Sequence, residues 1–132
     1  MLSLPGGTLV VGSVDNTDKA AALRAAGAEV LFLPGGPGVV DLTALLQLLA
    51  AREVNELLVE AGVTLCGALL KAGLVDELGV YLAPHLLGDA ARGMFDIPGI
   101  EAMTNRIAID IQDIRAVGKD WRITASVKNA SP

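Results

Sequence analysis

The stretch from Leu57 to Pro84, LLVEAGVTLCGALLKAGLVDELGVYLAP, limits the fold more than any other, because it reads as strand, glycine turn, short helix and second strand in direct succession. That is one complete βαβ unit. Leu57, Leu58 and Val59 form the short apolar run of a strand buried on both faces, and Glu60 interrupts it just before Gly62 releases the chain from extended geometry. An acid is therefore expected at the carboxyl end of a buried strand. Thr64 is placed to cap the following helix, whose first backbone N–H groups lack partners inside the helix and point back toward Glu60. Gly73 ends that helix with apolar Leu74 behind it, as a glycine C-terminal cap prefers, and Val75-Asp76-Glu77 leads into a strand over Leu78 to Ala83. Ligands of open α/β sheets bind outside the carboxyl ends of the strands, so the corner from Glu60 to Gly67 is where chemistry is sought first.

The segments before this unit keep the same rhythm. Met1 to Gly7 reads as an entry loop and Thr8 to Val14 as a strand. Asp15 to Asp18 has the spacing of an acidic cap at the cap and third helical positions, and Ala20 to Ala26 continues as helix until Gly27. Ala28 to Leu33 is the next strand. Pro34 to Gly38, PGGPG, invites comparison with a phosphate-cradling glycine loop, but no Gly-Lys-Ser/Thr follows and two prolines remove donors, which favours a plain loop. Asp41 caps an amphipathic helix with Leu42, Leu45, Leu46 and Leu49 on its core face and Gln47, Arg52 and Glu53 toward water.

Beyond Pro84 the periodicity stops. His85 to Met103 reads as a long crossing loop, and its lone histidine fits a loop residue better than a catalytic acid or base. From Arg106 the alternation of Ile107, Ile109 and Ile111 with polar residues predicts a half-exposed antiparallel strand. Gly118-Lys119-Asp120 turns the chain, Trp121, Ile123, Ala125 and Val127 alternate on the return, and Asn129 to Pro132 is a polar tail. The fold class read from this order is α/β: three layers, a mainly parallel sheet flanked by helices, with a C-terminal antiparallel hairpin.

Composition narrows the functional classes. A chain of 132 residues is expected to be a single domain (1–132), long enough to bury about 68–70% of its unfolded surface. Apolar residues make up 52% with only 3% aromatic, so the core is aliphatic and the surplus apolar surface points to a homo-oligomer. The net charge of −5 and the lack of a basic run argue against nucleic acid as a partner. Cys66 and His85 are the only residues of their kinds, so neither a disulfide framework nor a zinc site can be assembled from this chain and no metal is expected. The longest apolar stretches are broken by Glu60, Lys71 and Asp76, and no signal segment is evident; no membrane partner and a cytoplasmic location are expected.

On residue chemistry alone the corner stays open. Glu60 is either a site carboxylate at a strand end or a solvated acid at a loop entrance. Gly62 to Ala68 is either a helix start that meets cofactor phosphates or a tight turn that binds nothing. Cys66 has no partner in the sequence to activate it as a nucleophile and reads as a small hydrophobe.

The stretch resembles the reductase domain of the bifunctional riboflavin-biosynthesis deaminase/reductase, whose fold is like that of dihydrofolate reductase. The family pattern is present as Val59 to Gly62, Leu65, Ala72 to Leu78 and Ala83 to Gly88, and it continues more loosely through DAARGMFDIPGIEAM and the terminal strands to Thr124. Ala61 stands where many relatives have glycine. The resemblance implies NADPH as cofactor, lying along Gly62, Val63, Thr64, Leu65, Cys66, Gly67 and Ala68, and Glu60 as a substrate contact that positions without acting as a nucleophile. It implies a small-molecule substrate, the phosphoribosylamino-pyrimidine 5-amino-6-(5-phosphoribosylamino)uracil, reduced at its ribosyl group to a ribityl group. In the family the reductase domain starts several strands earlier and a zinc-dependent deaminase domain precedes it, so the chain is expected to be the C-terminal part of the reductase domain, truncated at its N-terminus. Rival readings are another pyridine-nucleotide reductase of the same fold acting on a related pterin or pyrimidine, and a non-catalytic fragment that self-associates.

Overall fold

The computed structural model describes residues 6–128, so most of the entry loop and the polar tail read from the sequence lie outside the described residues. The chain divides into two units, Met1–Leu57 and Leu58–Pro132.

In the first unit, β1 (Leu9–Gly12) pairs in parallel with β2 (Glu29–Phe32), joined by helix α1 (Thr17–Ala25). The α1 cap is Asn16, whose side chain accepts a hydrogen bond from Lys19 N at 3.0 Å, one residue beyond the acid that the spacing suggested. Asn and Asp serve this position equally well, and the chain takes whichever stands where the helix begins. Ala20, Ala28 and Val30 are buried where α1 meets β2.

PGGPG is a small hairpin instead of a plain loop: β3 (Pro34–Gly36) pairs antiparallel with β4 (Val39–Val40). Its tightness depends on Gly35, where a Cβ would stand 2.8 Å from Asp41 N and Cα. The hairpin delivers Asp41, whose Oδ1 accepts from Ala44 N at 2.9 Å, to cap α2 (Leu42–Ala51) as the sequence predicted. Leu42, Leu45, Leu46 and Leu49 are half-buried on α2, while Gln47, Arg52 and Glu53 are exposed. Arg52 donates two hydrogen bonds to the Glu29 carboxylate, at 2.6 and 2.7 Å. The guanidinium beside Glu29 holds that carboxyl below its ordinary value.

In the second unit, helix α3 (Val63–Lys71) is followed by β5 (Glu77–Leu82), a 3₁₀ turn at Met103–Asn105, β6 (Ala108–Val117) and β7 (Asp120–Lys128). The three strands form an antiparallel sheet in the order β5-β7-β6. The hairpin sits where the alternation put it, turning at Gly118 with φ of +64°, which glycine adopts without strain. The ladder carries a bulge between Ile111 and Asp113, so Gln112 has no register partner on β7, although its side-chain amide donates to Ser126 Oγ at 3.2 Å. Because of the bulge, Ile109 and Ile111 share a face with Ile114 and Ala116 although the spacing breaks phase. Their cross-strand partners are Val127, Ala125, Ile123 and Trp121, and the last three pair on β5 with Leu78, Val80 and Leu82, completing one apolar face.

Two expectations need correction. Leu57 to Val59 is not a strand: it pairs with no described strand, and Leu58 is 84% exposed. An apolar run becomes a strand only when a neighbour takes up its N–H and C=O groups. Consequently the unit around α3 is not a closed βαβ, and among the described residues only β1–β2 is a parallel pair, so the pairing is not mainly parallel. The α/β class itself holds, and His85 to Met103 is irregular as expected.

Candidate functional site

Gly62, not Thr64, is the N-cap of α3, with extended backbone and no side chain capping the helix. Cys66 N donates to Gly62 O at 3.1 Å as the first bond of the helix, which leaves the N–H groups of Val63, Thr64 and Leu65 ahead of it. A helix start of this kind carries about half a positive elementary charge and presents backbone donors, a fit for an anionic group such as a dinucleotide phosphate. Gly62, Thr64, Leu65 and Ala68 are exposed, whereas Val63 is half-buried.

Cys66 is half-buried, with Sγ 3.5 Å from Ala61 O, consistent with a small packing residue. Gly67 is buried against the loop at Asp96. A Cβ there would drive into the Asp96 carbonyl carbon at 2.7 Å, and Asp96 N donates to Val63 O at 3.1 Å. The loop at residue 96 is thus laid against one side of α3, a contact between backbone groups that no side-chain pattern in the sequence announces. Glu60, two residues ahead of the cap, is exposed, and among the described residues its carboxylate has no hydrogen-bond partner.

The far end of α3 closes as the sequence predicted. Gly73, with φ of +66°, donates to Leu70 O at 3.1 Å, and Leu74 N donates to Leu69 O at 3.0 Å. This double closure holds the helix in one register and so fixes where its first turn presents donors. Asp76 and Glu77 lie at the entrance of β5, where Asp76 O accepts from Val127 N at 3.0 Å. His85 is exposed in the loop after β5 and is not brought to the corner by any described hydrogen bond of its ring.

The sequence matches the RibD C-terminal domain family over residues 5–123, a span that contains the whole corner. The riboflavin biosynthesis protein RibD of Escherichia coli is 48% identical over 92 residues, covering 70% of this chain and 25% of that protein. A protein of Buchnera aphidicola subsp. Acyrthosiphon pisum named 5-amino-6-(5-phosphoribosylamino)uracil reductase is 35% identical over 89 residues, covering 67% of this chain and 43% of the relative. Among solved structures, RibD of Acinetobacter baumannii superposes with a TM-score of 0.76 at 30% identity, covering 92% of this chain and 31% of that one. The chain therefore spans a quarter to less than half the length of these relatives. With a match that runs through both units and an α/β fold shared with a RibD structure, the chain belongs to the RibD C-terminal domain family.

Proposed function

We propose that this chain is the C-terminal part of a riboflavin-biosynthesis reductase domain. Within a protein of full family length, it takes part in NADPH-dependent reduction of 5-amino-6-(5-phosphoribosylamino)uracil to the ribitylamino product. The observation that carries this is the family match running unbroken through Glu60 and the first turn of α3. When bound, NADPH would supply the hydride for the anomeric carbon, whose bond to the ring oxygen would open as that oxygen takes a proton.

The chain's own residues orient. The backbone donors of Val63, Thr64 and Leu65 hold a cofactor phosphate, and Gly62 and Ala68 leave it room to approach. Cys66 and Gly67 anchor the turn through the Ala61 carbonyl and the loop at Asp96. Glu60 accepts hydrogen bonds from the substrate, and no covalent intermediate with the protein is needed.

The test is Glu60→Gln in the full-length protein. Loss of a charge-assisted contact at the substrate lowers kcat/KM by roughly 10- to 100-fold, corresponding to about 1.5–3 kcal/mol, with an unchanged melting temperature. Full activity in the variant removes Glu60 from the site.

The same reading places the protein in the cytoplasm as a homo-oligomer. No helix among the described residues is long and apolar enough to cross a membrane. Leu69 and Leu70 of α3 are buried, but Leu82, Ile109, Ile111, Ile114 and Trp121, all on one face of the three-stranded sheet, are each about half exposed. A contiguous face of this kind is covered in a stable protein. Sedimentation at micromolar concentration is expected to show dimers or larger species, and a monomer alone would refute self-association.

A further inference from the structure

The second unit contains a cleft at the end of α3 away from Glu60, with a volume of about 580 Å³, within the range of small-molecule sites. Lys71 lines it from the last turn of α3, Arg106 from the turn before β6, and Lys128 from the end of β7. Leu70, Ile97 and Ile107 supply apolar wall. Among the described residues no carboxylate lines it, although acids outnumber bases in the chain by 15 to 10. Two of the cations are held in place: Lys71 Nζ donates to Pro98 O at 3.4 Å, and Arg106 Nη1 donates to Met103 O at 2.7 Å. Each keeps further donors for a ligand.

We infer that this cleft binds a phosphate monoester with an apolar body, at a site separate from the cofactor corner. Three full positive charges from three different elements exceed what a single carboxylate would balance, and they suit a dianion with three acceptor oxygens. The apolar wall has no use for a bare ion and fits the organic part of an ester. One effect opposes the assignment: the C-terminal end of a helix carries about half a negative charge. It is outweighed, because three whole cations face the cleft and the last α3 carbonyls at Leu69 and Leu70 are already taken by Leu74 and Gly73. The nine residues of α3 span roughly 13 Å, so a ligand here does not occupy the first turn, and the site is fit to sense a metabolite and not to react with one.

The experiment is an amide chemical-shift titration of the isotope-labelled 132-residue chain, in buffer free of phosphate, with phenyl phosphate and, separately, inorganic phosphate. Phenyl phosphate is expected to move the amides of Lys71 to Gly73, Ile97, Gly99 to Ile100 and Arg106 saturably, and to bind at least about 10-fold tighter than inorganic phosphate. Binding should weaken as salt rises. Arg106→Gln and Lys128→Gln should each weaken it by about 10-fold, the size of one charge-assisted contact. Arg106 also holds the Met103 turn, whereas Lys128 has no described hydrogen bond, so Lys128→Gln serves where the first variant unsettles the fold. Absence of saturable shifts at about 10 mM ligand would overturn the site. Equal affinity for the two probes would overturn the ester, and unchanged binding in Lys128→Gln with shifts elsewhere would place the anion at another surface.

Discussion

Gly67 sets two residue-level preferences against each other. In a helix interior, alanine is favoured over glycine by about 1 kcal/mol, so propensity alone recommends Gly67→Ala. The structure opposes it, because the new methyl would meet backbone of Asp96, which cannot rotate away as a side chain could. Overpacking against fixed atoms costs roughly 1–3 kcal/mol, so the net expectation is a loss of up to about 2 kcal/mol, read as a lowered urea midpoint at unchanged slope. A stabilised variant would mean that the loop at Asp96 is free to move off the helix. Glu60 shows what a residue's identity can and cannot tell. The sequence marks an acid breaking an apolar run, and the structure leaves that acid exposed and, among the described residues, without a hydrogen-bond partner. The proposed substrate contact therefore rests on the family pattern around Glu60, not on the carboxylate itself.

At the scale of elements, all three helices end in the same double closure, and one of them does so at a cost. After α1 and α3 the left-handed position is Gly27 or Gly73, but after α2 it is Glu53, with φ of +64°. Glu53 N donates to Ala50 O and Val54 N to Leu49 O, at 3.0 and 3.1 Å, the same geometry as in the glycine cases. A side chain in this region costs roughly 1–2 kcal/mol, and glycine's extra freedom in the unfolded chain returns about half of that. Glu53→Gly is thus expected to stabilise by about 0.5–1 kcal/mol in chemical denaturation, and a loss would show that the Glu53 side chain makes a compensating contact. Helix ends were legible in the sequence because caps are local: Asp41, Gly27 and Gly73 act within a few residues of themselves. The terminal hairpin was legible for the same reason, through its alternation and Gly118. Leu57 to Val59 was not, since apolarity states only that a segment seeks cover, while a strand also needs a neighbour that comes from elsewhere in the chain. The bulge at Gln112 escaped for a related reason: one extra residue shifts the phase of alternation, and only the pairing with β7 shows where the phase is restored.

At the scale of the whole molecule, little of the chain is covered. Among the described residues the buried apolar side chains are Ala20, Ala28, Val30, Leu69, Leu70 and Ala125, a small core for the two units. The corner shares in this exposure. Glu60, Gly62, Thr64, Leu65 and Ala68 all face solvent, and the cleft of the second unit lies at the opposite end of α3. A dinucleotide that touches only the first turn of a helix gains one phosphate contact, worth about 1–3 kcal/mol as a charge-assisted bond, and forgoes the burial of 70–90% of its surface that small-molecule sites provide. Set against an association cost of at least about 4 kcal/mol, that contact supports no better than millimolar affinity. Reduction demands more than binding, because hydride donor and acceptor must be held at about 3–3.5 Å, and a misplacement of about 1 Å costs roughly 100-fold. The 132-residue chain alone is therefore expected to bind NADPH with a Kd of about 1 mM or weaker by calorimetry, and to show no steady loss of NADPH absorbance with 5-amino-6-(5-phosphoribosylamino)uracil present. A protein of full family length is expected to bind NADPH more tightly and to oxidise it steadily. Micromolar binding with steady oxidation by the short chain would mean that these residues build a closed crevice by themselves, or that a second copy of the chain supplies its other wall; repeating the assay across a dilution series separates the two, because only the second loses activity as the copies part.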